Sequence, residues 1–244
     1  MQVKKFTSMS RHLGRPMPFG VYGHFGQPLL AFPTASSDFE EFERHGMIDA
    51  LSHFINVGLI KLYTINSING DSWSNYSIPV AERARRQALY DKYVADEVAP
   101  LIYQDCGTEY LPIATLGMSF GAFHAANTLF KHPARFRWCL GLSGIYDISR
   151  CFEDHYDENC YYNNPAQYLP NLQDPMVLEQ LGHCHVRLVC GQGPWERVHW
   201  TSDFSELLKR KGIHHYFDLW GHDVGHDWAS WKRELNVYIP QLFG

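Results

Sequence analysis

Long apolar runs are missing from this chain. No uninterrupted stretch approaches the ~20 residues needed to cross a bilayer. The opening residues, Met1-Gln2-Val3-Lys4-Lys5-Phe6, lead into polar positions instead of an apolar export segment. A soluble, unexported, cytoplasmic protein is the expectation. Cys-x-x-Cys pairs are absent as well. Of the six cysteines, at positions 106, 139, 151, 160, 184 and 190, Cys139 and Cys190 fall in predicted buried strands, where cysteine behaves as a small hydrophobe. Cys151 and Cys160 are near neighbours in a loop-rich stretch, but a bridge there needs an oxidising compartment that nothing else indicates. Basic clustering is equally sparse. Net charge is -5, and the 21 Lys and Arg are scattered apart from Arg83, Arg85 and Arg86 on one predicted helix. That trio reads as a solvated helix face, so no nucleic-acid surface is expected. Internal repeats and low-complexity tracts are also lacking, and 244 residues make one domain the default.

What the chain does have is alternation. Strand candidates at 4–7, 18–22, 29–32, 58–64, 111–116, 138–142, 186–190 and 215–219 are separated by helical patterns. Such alternation predicts an α/β fold: a single doubly wound domain around a mostly parallel sheet of about eight strands, covered on both faces. The first two strands, close together, read as an antiparallel start. Helices are expected over 38–55, from Pro79 to about 103, and over 119–132, 201–211 and 226–243. Residues 147–181 break the pattern, being rich in Asn, Asp, Pro and Tyr. They read as a lid or cap insertion at the carboxyl edge of the sheet, assigned to substrate selection, with folded surface decoration as the alternative.

Chemistry enters at Gly117-Met118-Ser119-Phe120-Gly121, placed between a predicted strand and a small-residue helix. That context is the nucleophile elbow: a serine on a tight strand-to-helix turn, with glycines where backbone approaches too closely for a Cβ. A serine hydroxyl needs a base to take its proton and an acid to orient that base. Doubly wound hydrolases supply these in the chain order Ser, acid, His, after late strands. Gly191-Gln192-Gly193-Pro194-Trp195-Glu196 follows the seventh strand, making Glu196 the first candidate acid. Asp147 is its main competitor, and Asp203 fits less well because it falls inside the next predicted helix. The last strand is followed by Gly221-His222-Asp223-Val224-Gly225-His226-Asp227-Trp228. His226 is favoured as base for its place just before the closing helix and beside a tryptophan, with His222 as the alternative. For the oxyanion, the N–H of Phe120 is one donor. The second comes from the loop after 29–32, where Pro33 has no N–H and so Thr34 or Ala35 must supply it. Residues 67–73 are expected to line the pocket, with Trp73 and Trp195 as substrate-binding side chains.

Taken together, these pieces make the chain resemble the esterase group of the α/β-hydrolase superfamily, and it is similar to the esterase D branch. The resemblance covers nearly the whole chain. It is carried mainly by the elbow, by Leu29-Leu30-Ala31-Phe32-Pro33-Thr34, and by Gly225-His226-Asp227-Trp228 followed by Trp231. It implies Ser119 as nucleophile and His226 as base. Three departures stand out: Ala122 where many relatives have a second glycine, Pro33-Thr34 where many have His-Gly, and Gly-Pro-Trp-Glu where Gly-x-x-Asp is commoner.

The function expected is a serine hydrolase that cleaves the carboxylic ester of a small or medium acyl group through an acyl-enzyme, without cofactor or metal. An acyltransferase using the same triad and a non-catalytic binding protein on the same fold are the alternatives. The 14 histidines invite a metal reading at His183-Cys184-His185, His214-His215 or His222 with His226, but Gly221 and Gly225 argue for a loop there instead of one helical face. Asp154, His155, Asp157 and Glu158 read as a solvated acidic loop rather than a cation site. A small-molecule ester is the expected partner. Homo-oligomers are common for this architecture, although one chain locates no interface patch.

Overall fold

The computed structural model describes residues 1–35, 37–108 and 111–244. All eight expected strands form: β1 (Val3–Ser10), β2 (Arg15–Tyr22), β3 (Gln27–Phe32), β4 (Ile60–Ile65), β5 (Ile113–Met118), β6 (Phe136–Leu142), β7 (His185–Cys190) and β8 (Tyr216–Leu219). They make one sheet in the order β1-β2-β4-β3-β5-β6-β7-β8. β1 is antiparallel to β2 and β2 to β4, while every other pair is parallel. β4 and β5 are buried along their whole length, which is why they read as continuous apolar runs instead of alternating ones. β1, at the edge, is largely exposed and carries Lys4 and Lys5; charged edge strands resist pairing with other chains.

The helices are α1 (Glu41–Arg44), α2 (Met47–Ala50), α3 (Ser52–Asn56), α4 (Val80–Tyr93), α5 (Ala99–Cys106), α6 (Phe120–Lys131), α7 (Glu158–Tyr162), α8 (Pro165–Tyr168), α9 (Pro175–Gly182), α10 (Val198–Lys211) and α11 (Trp228–Phe243). Period-two alternation divides the core between the two faces. Leu30 and Phe32 of β3 pack with Tyr90 of α4, Ile102 of α5, Phe130 of α6 and Phe204 of α10. Leu29 and Ala31 pack on the opposite side with Phe42, Met47 and Ile55 of α1 to α3 and with Trp231 and Leu235 of α11.

Three helix expectations need correction. The span 38–55 is three short helices, because Gly46 at φ 65° turns the chain where a continuous helix would need an ordinary right-handed residue. The long helix after Pro79 is α4 and α5 joined by a π turn, Val94–Val98. Pro100 sits in the first turn of α5. Its ring opposes a carbonyl four residues earlier, and the wider π turn relieves that clash. Finally, α11 starts at Trp228 with Asp227 as its cap, the carboxylate accepting from Ser230 N at 2.8 Å. His226 therefore lies in the loop before the helix. The insertion over 147–181 is folded, holding α7, α8 and most of α9.

Candidate active site

Ser119 occupies the turn from β5 into α6 at φ 56°, ψ -121°, a region that costs a non-glycine residue on the order of 1–3 kcal/mol. The surroundings hold it there. Its N–H donates to Leu142 O at 3.0 Å, and its carbonyl accepts from Ala122 N at 3.2 Å. The two glycines are explained by contact distances: a Cβ on Gly117 would lie 2.0 Å from Gly121 O, and one on Gly121 would lie 2.6 Å from Phe32 O. Phe120 opens α6, so its N–H has no intrahelical acceptor and points from the positive end of the helix dipole.

Two loops at the same sheet edge are laced together. Gln192 N donates to Gly221 O at 3.2 Å, Gly193 N to Val224 O at 2.8 Å and His226 N to Pro194 O at 3.0 Å. Gly191 permits this approach, since a Cβ there would fall 2.0 Å from Val224 O. The result is a buried acid beside an imidazole. Glu196, with a side chain 2 % exposed, places Oε2 3.6 Å from His226 Nδ1. Its Oε1 accepts from Ser143 Oγ at 2.5 Å, and Cys190 Sγ donates to Oε2 at 3.4 Å. Trp231 Nε1 in turn donates to Ser143 Oγ at 3.0 Å. Burial opposes ionisation of Glu196, yet His226, Ser143 and Cys190 together outweigh it and hold the carboxyl below the usual glutamate range. The edge of the Trp231 indole packs on the His226 ring at 5.1 Å. Among the described residues, the Ser119 hydroxyl makes no hydrogen bond to His226; such contacts are often loose in unliganded sites.

The sequence from residue 39 to 242 matches the family described as "Putative esterase". The chain belongs to that esterase family. It has the α/β-hydrolase fold. Solved structures over its full length carry the same fold. A ferulic acid esterase superposes with a TM-score of 0.76 at 16% identity, over 99% of this chain and 97% of that one. An S-formylglutathione hydrolase from Agrobacterium tumefaciens gives 0.71 at 15%, over 99% and 95%. The fluorophosphonate-binding serine hydrolase F of Staphylococcus aureus gives 0.73 at 15%, over 100% and 98%. No curated protein matched the sequence.

In this esterase Asp147 is engaged elsewhere, accepting from Ser149 N, Ser149 Oγ and Asn164 Nδ2. Asp203 lies in α10. His222 is exposed, with Nδ1 3.3 Å from Gln192 O. In the oxyanion loop, the Thr34 N–H donates to Glu41 Oε2 at 2.8 Å and its hydroxyl to Oε1. Thr34 as a free oxyanion donor thus meets a competing acceptor, while Ala35 is exposed. The two tryptophans assigned to substrate differ in exposure. Trp73 is 1 % exposed, packed with Phe120, Ile145 and Phe152. Trp195 is 83 % exposed and held at φ 67°.

Sequence reasoning missed Ser143, whose only signal was its place directly after β6. It also missed the His124–Asn69 pair beneath the elbow, 3.0 Å apart. Burial pushes the His124 imidazole down to about 3, so it is neutral there. All six cysteines are unpaired. His155, Asp157 and Cys160 bring potential ligand atoms within 4.8 Å of one another, but the Asp157 carboxylate already caps α7 through Cys160 N. Among the described residues, no helix is long and apolar enough to cross a membrane.

Proposed function

We propose that the esterase works through an acyl-enzyme on Ser119, with His226 as base and Glu196 as orienting acid. Ser119 Oγ attacks the ester carbonyl while the imidazole takes its proton. The same proton is then returned to the departing alkoxide. Water, activated by His226, releases the acid and regenerates the serine. Glu196 fixes the ring and offsets the positive charge it acquires. Amide N–H groups of Phe120 and Ala35 receive the oxyanion, the Thr34 amide being committed to Glu41. Each such donor contributes about 3 kcal/mol to the barrier reduction. The observation that carries this reading is the Glu196–His226 pair, fixed by the laced loops at the sheet edge that also bears the strained Ser119.

Acyl size follows from the apolar packing around the elbow. Phe120, Ile145, Trp73 and Phe152 pack tightly, favouring a small or medium acyl group. The insertion over 147–181 acts as a lid through this cluster, to which it contributes Ile148, Cys151, Phe152 and Cys160. Unpaired cysteines favour the reducing cytoplasm. The test is turnover of carboxylic esters graded in acyl length, by wild type and by Ser119→Ala. Cleavage that falls by at least about a thousandfold in the variant, and that declines with acyl length in the wild type, is the expected result. Full activity in Ser119→Ala would reject the nucleophile.

A further inference from the structure

Helix α11 buries a carboxyl that the triad does not use. Glu234 is 0 % exposed, and neither Oε1 nor Oε2 has a hydrogen-bond partner. It lies three residues after Trp231 and four after Ser230, which puts the three side chains on one helix face. The other two hold the site together. Trp231 donates to Ser143 Oγ, the hydroxyl bonded to Glu196, and Ser230 Oγ accepts from Gly225 N at 3.0 Å, next to His226. Glu234 thus shares the face that fixes both the acid and the loop carrying the base.

Resting on the triad reading above, we propose that Glu234 is a positioning residue behind the triad: a buried carboxyl whose charge state is felt by the Glu196–His226 pair. A buried carboxylate without donors is costly, so the group keeps its proton at neutral pH. Burial and then the charge of Glu196 push Glu234 up to about 8, with Asp227 adding to the rise and Arg233 opposing it. From β7, the Cys190 thiol faces both carboxyls and is pushed up by burial and by their charges. His226 reaches this group of charges through Glu196. With the proton on Glu234, that group adds no charge to the carboxylate of Glu196 behind the imidazole. When that proton leaves to solvent, a second negative charge in a poorly screened interior stabilises the imidazolium formed as Ser119 attacks.

Two measurements on wild type and Glu234→Gln test this. The first is the rate of Ser119 phosphonylation by a small fluorophosphonate as a function of pH. The second is the infrared carboxylic-acid C=O band, which reports the buried proton without requiring catalysis. The wild-type rate should show a severalfold rise near pH 8. Wild type should also show an acid band titrating over the same range. Glu234→Gln, of equal shape and uncharged, should lack both that rise and the band. Superimposable rate profiles from two reactive proteins would overturn the role of Glu234 while leaving the triad standing. A wild type in which Ser119 is never labelled would overturn the triad and this role with it. Should the variant fail to fold, the wild-type band alone decides: its absence near neutral pH overturns the proposal, and its titration in step with the rate rise near pH 8 supports it.

Discussion

Ser143 stands at the crossing of the site's polar contacts, at φ 49° and bonded to two groups. It donates to Glu196 and accepts from Trp231. Ser143→Ala removes a partner from each, which costs about 1–3 kcal/mol when buried polar groups are left unpaired. Urea unfolding should show that loss, together with a fall in kcat. A stability change within about 0.5 kcal/mol, the range of neutral surface substitutions, would contradict it. At this scale the sequence was legible where chemistry forces residue order. The tight turn at Ser119 follows from the elbow, and the approach of Glu196 to His226 from the ends of the last two parallel strands. Ser143 and Glu234 were not legible, because their roles depend on contacts across 53 residues and on a helix face whose burial only the folded sheet defines. Thr34 illustrates the converse. Its amide was correctly placed in a loop beside the elbow, yet Glu41, seven residues on, competes for it.

Secondary-structure elements were legible in number and order but not in continuity. All eight strands are where the sequence places them, and β4 and β5, buried on both faces, announce themselves by composition. The helices over 38–55 and after Pro79 are interrupted, by Gly46 and by the π turn before Pro100, and these local geometries leave the apolar spacing almost unchanged. The start of α11 matters most to the site. Asp227 caps it and so sets where the loop holding His226 ends. Asp227→Ala should lower stability by about 1 kcal/mol, the usual value of such a cap, and should reduce kcat more than it changes KM, because it displaces the base and not the pocket. Thermal unfolding and steady-state kinetics on the same preparation would check both.

Over the whole molecule, three buried groups contribute to the dependence of stability on pH. His124 is pushed from 6.5 down to about 3, so it favours folding above pH 6.5 and this contribution is lost as pH falls towards 3. Glu234 is raised from 4.5 to about 8, so its contribution is complete below pH 4.5 and is lost as pH rises to 8. Between 4.5 and 6.5 the two slopes oppose and nearly cancel. Below 4.5 the loss steepens as Glu196, held under the usual glutamate range, takes up its proton. The unfolding midpoint should therefore be level from about pH 4.5 to 6.5, fall on the acid side, and fall again up to pH 8. Glu234→Gln should abolish the second fall and make stability rise up to pH 6.5 instead. A wild-type midpoint that climbs between pH 6.5 and 8 would contradict the placement of a protonated Glu234.

The central claim is that this fold activates Ser119, and covalent capture tests it without knowledge of the substrate. Wild type, Ser119→Ala and His226→Ala are each incubated with a small fluorophosphonate and their intact masses compared. One adduct on wild type, none on Ser119→Ala and strongly slowed labelling of His226→Ala is the expected pattern. A folded wild type that takes no label, or equal labelling of Ser119→Ala, would contradict the account.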